Sequence, residues 1–188
     1  MGTLTEFSTD TGRSKYATMQ EGTTAEMLLY TDQTIGSQWF DTTLQKVWTW
    51  SDKSVWFVVG ETMVMAKQSV EIIKGQLMIP DTTISVAAEV ASTAATNQII
   101  GVAVWSVGDA EEFVVVAYSG VWDVLCSDDS NPYTIGMFLV HDGSPTAEDG
   151  MAKERSSGSG HMAICLEDGS VGAGGGALKC QVQTTERY

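Results

Sequence analysis

From about residue 67 onward the chain is a succession of short β-branched and aromatic segments, each closed by Gly, Asp, Asn or Pro. This punctuation constrains the fold more than any other feature, because strands in quick succession with little helix between them bury their apolar sides by pairing with one another. The segments are Ser69–Ile73, Gln76–Ile79, Ile99–Trp105, Glu112–Tyr118, Gly120–Cys126, Gly136–Val140, His161–Leu166 and Leu178–Gln183. The Ala-rich piece Val86–Thr96 fits a helical turn or two, but its alternation of Val86, Ala88 and Val90 also allows a strand. The expected fold class is mainly β, a small antiparallel β-barrel or sandwich over residues 67–188. Lys153–Gly160 and Gly169–Gly176, rich in Gly and Ser, are expected to be exposed, mobile loops.

Residues 37–60 form the clearest local unit. Ser37–Asp41, Lys46–Trp50 and Val55–Val59 are three aromatic or β-branched runs separated by Thr42–Gln45 and Ser51–Ser54, which reads as a β-meander within a module spanning 25–62. Four of the six Trp lie here, at Trp39, Trp48, Trp50 and Trp56. Side chains alternate across a strand, so Trp48 and Trp50 share one face and Val47 and Thr49 the other. Three strands this short do not cover four indoles alone. The rings therefore pack elsewhere in the chain or across a contact between subunits. Around Met27–Tyr30 the pattern allows either a short helix or a strand. Residues 1–24 are Thr-, Ser- and Gly-rich, with Leu4, Phe7 and Tyr16 as the only substantial apolar anchors. They read as an extended arm ordered only by what holds it.

Charge narrows the function classes. The 188 residues carry 10 Lys and Arg against 24 Asp and Glu, a net −14. No basic residue occurs between Lys74 and Lys153. Nucleic-acid binding draws on clustered cations, so no nucleic-acid partner is expected. Such acidity serves solubility, or offers an acidic face to a basic partner. The longest apolar run, Phe113–Tyr118, is far short of a membrane helix, and Met1–Phe7 has neither a basic nor an apolar leader region; no membrane partner and no signal peptide are expected. The three cysteines, Cys126, Cys165 and Cys180, are odd in number and read as small buried hydrophobes rather than a disulfide framework or nucleophiles.

No arrangement of residues assembles a reactive centre. Gly172–Gly176 is followed by Ala177-Leu178 where a phosphate-binding loop needs Lys and then Ser or Thr. His161, Cys165 and Cys180 lack the fourth ligand and paired spacing of a zinc site. Asp128–Pro132 reads as a turn rather than a calcium loop. No G-x-S-x-G accompanies His141 or His161, and Ser119-Gly120 reads as an ordinary turn. Catalytic, cofactor-binding and metal residues are accordingly expected to be none, and the chain is expected not to be an enzyme.

Several segments carry a resemblance. Gly75-Gln76-Leu77-Met78, then Ile99-Ile100-Gly101-Val102-Ala103, the charged turn Gly108–Glu112, Val114–Val121, and Met162-Ala163-Ile164-Cys165-Leu166-Glu167-Asp168-Gly169 resemble the decoration, or cement, proteins of tailed-phage capsids, with Cys165 departing from the family's closing strand. Gly36–Thr43 with Lys46-Val47-Trp48 and Val55-Trp56 is similar to small β-meanders of phage fibre and virion proteins. The resemblance implies a non-enzymatic virion protein, made in the host cytoplasm. It implies binding to the outer capsid surface, where the protein clamps neighbouring subunits of the major capsid protein, as a homotrimer. Other decoration or fibre proteins are further partners it allows. On this expectation Leu4, Phe7, Tyr16, Trp39, Trp48, Trp50 and Trp56 form the partner or oligomer interface, and deleting residues 1–24 abolishes attachment. The alternative is a head or tail fibre or spike module that binds a host surface glycan through exposed Trp.

Overall fold

The computed structural model describes residues 19–67, 71–80, 87–91, 99–108, 112–128, 132–142, 149–154 and 162–184, with only the backbone of Ala87 and Glu89. Among them the punctuated segments form fourteen strands and one four-residue helix. The protein is mainly β, and it divides into two compact units, Met1–Gly60 and Glu61–Tyr188.

The first unit is a four-stranded sheet in the order β1 (Met19–Gly22), β2 (Gln38–Asp41), β3 (Lys46–Trp50), β4 (Trp56–Phe57), with helix α1 (Thr24–Met27) between β1 and β2. The meander pairs antiparallel, and β1 joins it parallel to β2. The end of the expected arm is thus an edge strand held by its own chain. Around Met27–Tyr30 helix prevails over strand, because Thr23 caps it.

Closure governs the second unit. A strand with an unpaired edge leaves backbone N–H and C=O groups open to adventitious pairing, and a barrel removes those edges. Here two five-stranded barrels close. The first runs β5 (Thr62–Lys67), β7 (Ala87–Val90), β6 (Leu77–Pro80), β8 (Gly101–Ala103), β9 (Phe113–Ala117). The second runs β10 (Ser119–Cys126), β12 (Ala152–Glu154), β11 (Phe138–His141), β13 (Ala163–Cys165), β14 (Gly176–Gln183). In each, the first strand lies parallel to the third and antiparallel to the fifth, and the remaining pairs are antiparallel.

The core of the first barrel is Met65, Ile72, Met78, Ala88, Ala103, Val107, Val114 and Val116. The second buries Trp122, Val124, Cys126, Tyr133, Leu139, Ala152, Ala163, Cys165, Cys180 and Val182. One barrel or sandwich beginning near Lys67 becomes two barrels beginning at Thr62 and Ser119. The division is hidden because β9 runs almost directly into β10, with Tyr118 alone between them. Ser119, read as part of an ordinary turn, is the first residue of β10, and Gly120 takes φ +93° to let the strand begin there. Lys153 and Glu154 belong to β12, not to a mobile loop, because β11 pairs with them. Of the Ala-rich stretch Val86–Thr96, Ala87–Val90 form strand β7, and residues 86 and 92–96 lie outside the described residues. Of the segment Ser69–Ile73, residues 69 and 70 lie outside the described residues, and Ile72 makes an isolated bridge to Val107.

Candidate interaction surface

Alternation sorts the first sheet into two unlike faces. The cross-strand pairs Trp39–Trp48 and Trp50–Trp56 put four indoles on one side, and all four are buried. Their rings pack at an angle: Trp50 and Trp56 centroids lie 5.1 Å apart, Trp39 and Trp56 6.5 Å apart, and Tyr30 sits 5.1 Å from Trp39. Edge-to-face and tilted contacts of this kind suit the ring quadrupoles. Trp56 Nε1 donates to the Tyr30 carbonyl at 3.2 Å, which ties the loop after α1 to the sheet.

Polar groups fix the same corner. Thr23 Oγ1 accepts from Glu26 N at 3.2 Å while Glu26 Oε2 accepts from Thr23 N at 2.7 Å, a reciprocal helix cap. The Thr23 N–H and, at 3.0 Å, the Thr23 hydroxyl both donate to Glu26 Oε2 and hold its carboxyl below its ordinary value. Asp41 is fully buried and accepts from Thr43 N at 2.8 Å, Leu44 N at 3.1 Å and the Thr24 hydroxyl, so one carboxylate joins the β2–β3 turn to α1.

The opposite face carries Met19, Glu21, Gln38, Phe40, Val47, Thr49 and Phe57, set in register by β1–β2–β3–β4. Met19 and Val47 are exposed, and Phe40 and Phe57 are half-buried. Elsewhere on this unit Leu28, Leu29, Tyr30, Ile35 and Val59 are exposed, Leu29 at 79%. These exposed apolar side chains are the unit's candidate contact residues. Sequence reasoning found the indoles and missed this face: the aromatic density drew attention inward, and the signal that Val47 and Thr49 lie opposite Trp48 and Trp50 was present but unused.

The structure places Trp39, Trp48, Trp50 and Trp56 together, all four buried within the first unit. Stacking platforms for sugar require open ring faces, which these four do not present. Leu4, Phe7 and Tyr16 lie outside the described residues.

In the second unit the cysteines occupy core positions. Cys126, Cys165 and Cys180 are buried free thiols. Hydrogen bonding with Cys180, then burial, pushes the Cys165 thiol well up, and Cys126 and burial do the same to Cys180, so these sulfurs stay protonated. Asp142 is fully buried and accepts an ion pair from Lys153 at 2.7 Å, which closes β11 onto β12. No group of three or more metal-capable side chains occurs among the described residues, and no helix there is long and apolar enough to cross a membrane.

No family model matches the chain, and no curated protein does. Among solved structures it is similar to the head fibre gp8.5 N base of bacteriophage phi29, at 14% identity and a TM-score of 0.44, covering 68% of this chain and 97% of that one. It is also similar to a chain from the capsid of Myoviridae phage XM1, at 17% identity and a TM-score of 0.47, covering 66% of this chain and 85% of that one.

Proposed function

We propose that this protein is a structural component of a tailed-phage virion that binds the outer surface of the capsid, cements neighbouring major capsid subunits and associates as a homotrimer. The observation that carries the reading is the two-faced sheet of the first unit. Its indoles are buried, while Met19 and Val47 on the opposite face, and Leu28, Leu29 and Ile35 elsewhere on the unit, are exposed. The sequence resemblance to capsid cement proteins supports it, as does a second unit whose described core residues are engaged in packing rather than chemistry. Attachment on this reading is adhesion without turnover, made tight by several copies acting together.

Cosedimentation of the purified chain with undecorated shells of its own phage tests this. The structure refines where to cut: Met19–Gly22 pair with β2 and Thr23 caps α1, so the arm is best removed at residue 18. The full chain is expected to pellet with shells at saturable occupancy, and the truncated chain to remain folded but stay in the supernatant. Equal occupancy for both would remove the arm from the account. Failure of the full chain to bind shells at any concentration would remove the cement reading.

A further inference from the structure

Residues 28–37 form a strap fastened across the indole layer of the first unit. The Tyr30 ring tilts on Trp39 at 5.1 Å, and the Tyr30 carbonyl accepts from the Trp56 indole N–H. Further along, Gly36 N donates to Trp50 O at 2.9 Å, and Ser37 N donates to Thr34 O at 2.9 Å, closing the turn that carries Ile35. The two fastenings land on neighbours, because Trp50 and Trp56 are cross-strand partners. Just before the strap, Met27 is fully buried. The outside of the strap is apolar: Leu28 is 47%, Leu29 79% and Ile35 68% exposed.

The chain that precedes the described residues supplies a matching occupant. Residues 1–18 join the sheet at Met19, and Met19 pairs with Gln38, the residue after Ser37. The arm therefore enters at the end of β2 where the Ile35 turn also lies. Its length suffices: Tyr16 stands three residues before Met19 and Phe7 twelve, a reach of about 40 Å for Phe7 when extended. Its charge is complementary. Between Met19 and Gln45 there is no basic residue, and Glu21, Glu26 and Asp32 are exposed, whereas Arg13 and Lys15 lie just ahead of Met19.

We infer that residues 1–18 dock on the strap of their own chain. Leu4, Phe7 and Tyr16 supply the apolar side of the contact with Leu28, Leu29 and Ile35, and Arg13 and Lys15 answer the acids beside them. A tether this short sets an effective concentration of about a millimolar, which favours the chain's own arm over that of a second copy. The contact names what holds an arm that has no core of its own. It assigns the strap to the arm and leaves the opposite face of the sheet, with Met19 and Val47, to a partner. It concerns the free chain and does not depend on shell binding.

Trypsin reads the arm directly, since Arg13 and Lys15 are its only sites before Lys46. Cleavage tracks the population of the open form when closing is faster than cutting, so the full chain is expected to be cut after Arg13 about tenfold more slowly than a synthetic peptide of residues 1–18. That protection should not depend on protein concentration. Leu29→Asp with Ile35→Asp is expected to raise the rate to that of the peptide, with cutting after Lys46 and Lys53 unchanged as the sign of a folded sheet. A second variant leaves the strap untouched and decides the matter where the first loosens the sheet. It carries Leu4→Ser, Phe7→Ser and Tyr16→Ser, is compared with a peptide bearing the same changes, and is expected to lose the protection as well. Wild type cut as fast as its peptide, or protection that survives either variant in a folded chain, would overturn the inference. Protection that fades on dilution would overturn it in favour of the arm of a second copy. Shell decoration is measured separately by cosedimentation, so either reading can fail without the other.

Discussion

Asp123 shows how single residues are tuned to the joint between barrels. Burial opposes its charge, but Lys179 and Lys74 both contact the carboxylate and outweigh that penalty, holding it below its ordinary value of 3.8. A carboxyl whose folded value is depressed stabilises the fold fully above its unfolded value and loses that contribution as pH falls through the folded one. Stability of the second unit should therefore decline below about pH 4. Asp123→Asn should flatten that limb in denaturant titrations followed across pH; an unchanged acid profile would show that the two lysines do not set the stability of the joint. The buried cysteines make the complementary point. Cys165 and Cys180 stand where the first barrel has Ala103 and Val116, which explains these two thiols by packing.

At the scale of elements, β-branched runs were legible because a pleated, half-buried surface favours those side chains. Phe113–Ala117 and Ser119–Cys126 fall within a residue or two of where the sequence puts them. Strand β5 was not legible: Thr62–Lys67 is written with two Met, an Ala and a Lys, and becomes a strand only because β9 supplies its ladder. Strand β12, Ala152–Glu154, is likewise made by its neighbours. The indoles of the first unit were legible as a group, but alternation tells which residues share a face and not what lies against it. That is why Trp39, Trp48, Trp50 and Trp56 could be read as either interior or interface. Barrel closure itself can be tested at one glycine. A Cβ on Gly101 would fall 2.2 Å from the Ala117 carbonyl oxygen, a backbone atom that cannot swing aside. Gly101→Ala should push β8 from β9 and cost about 1–3 kcal/mol in denaturant unfolding. A variant as stable as wild type would mean the β8–β9 seam is looser than described.

For the whole molecule, the repeat was invisible in the sequence because register was kept while side chains were not. Gly75 and Gly136 remain glycine because both turns need positive φ, but Ile72 became Tyr133, Met78 became Leu139 and Lys74 became Ile135 along the same ladder positions. Volume can be traded within a barrel as long as each layer stays filled. Two closed barrels give the second unit few open sheet edges, while the first unit keeps an open sheet whose outer face mixes apolar and polar side chains. That division fits the proposed attachment to a capsid surface. The most direct measurement is cryo-electron microscopy of undecorated shells incubated with the purified chain. The account predicts ordered density for paired five-stranded barrels at repeated sites on the outer surface, spanning junctions between capsid subunits; bare shells at saturating protein, or density confined to the interior, would contradict it.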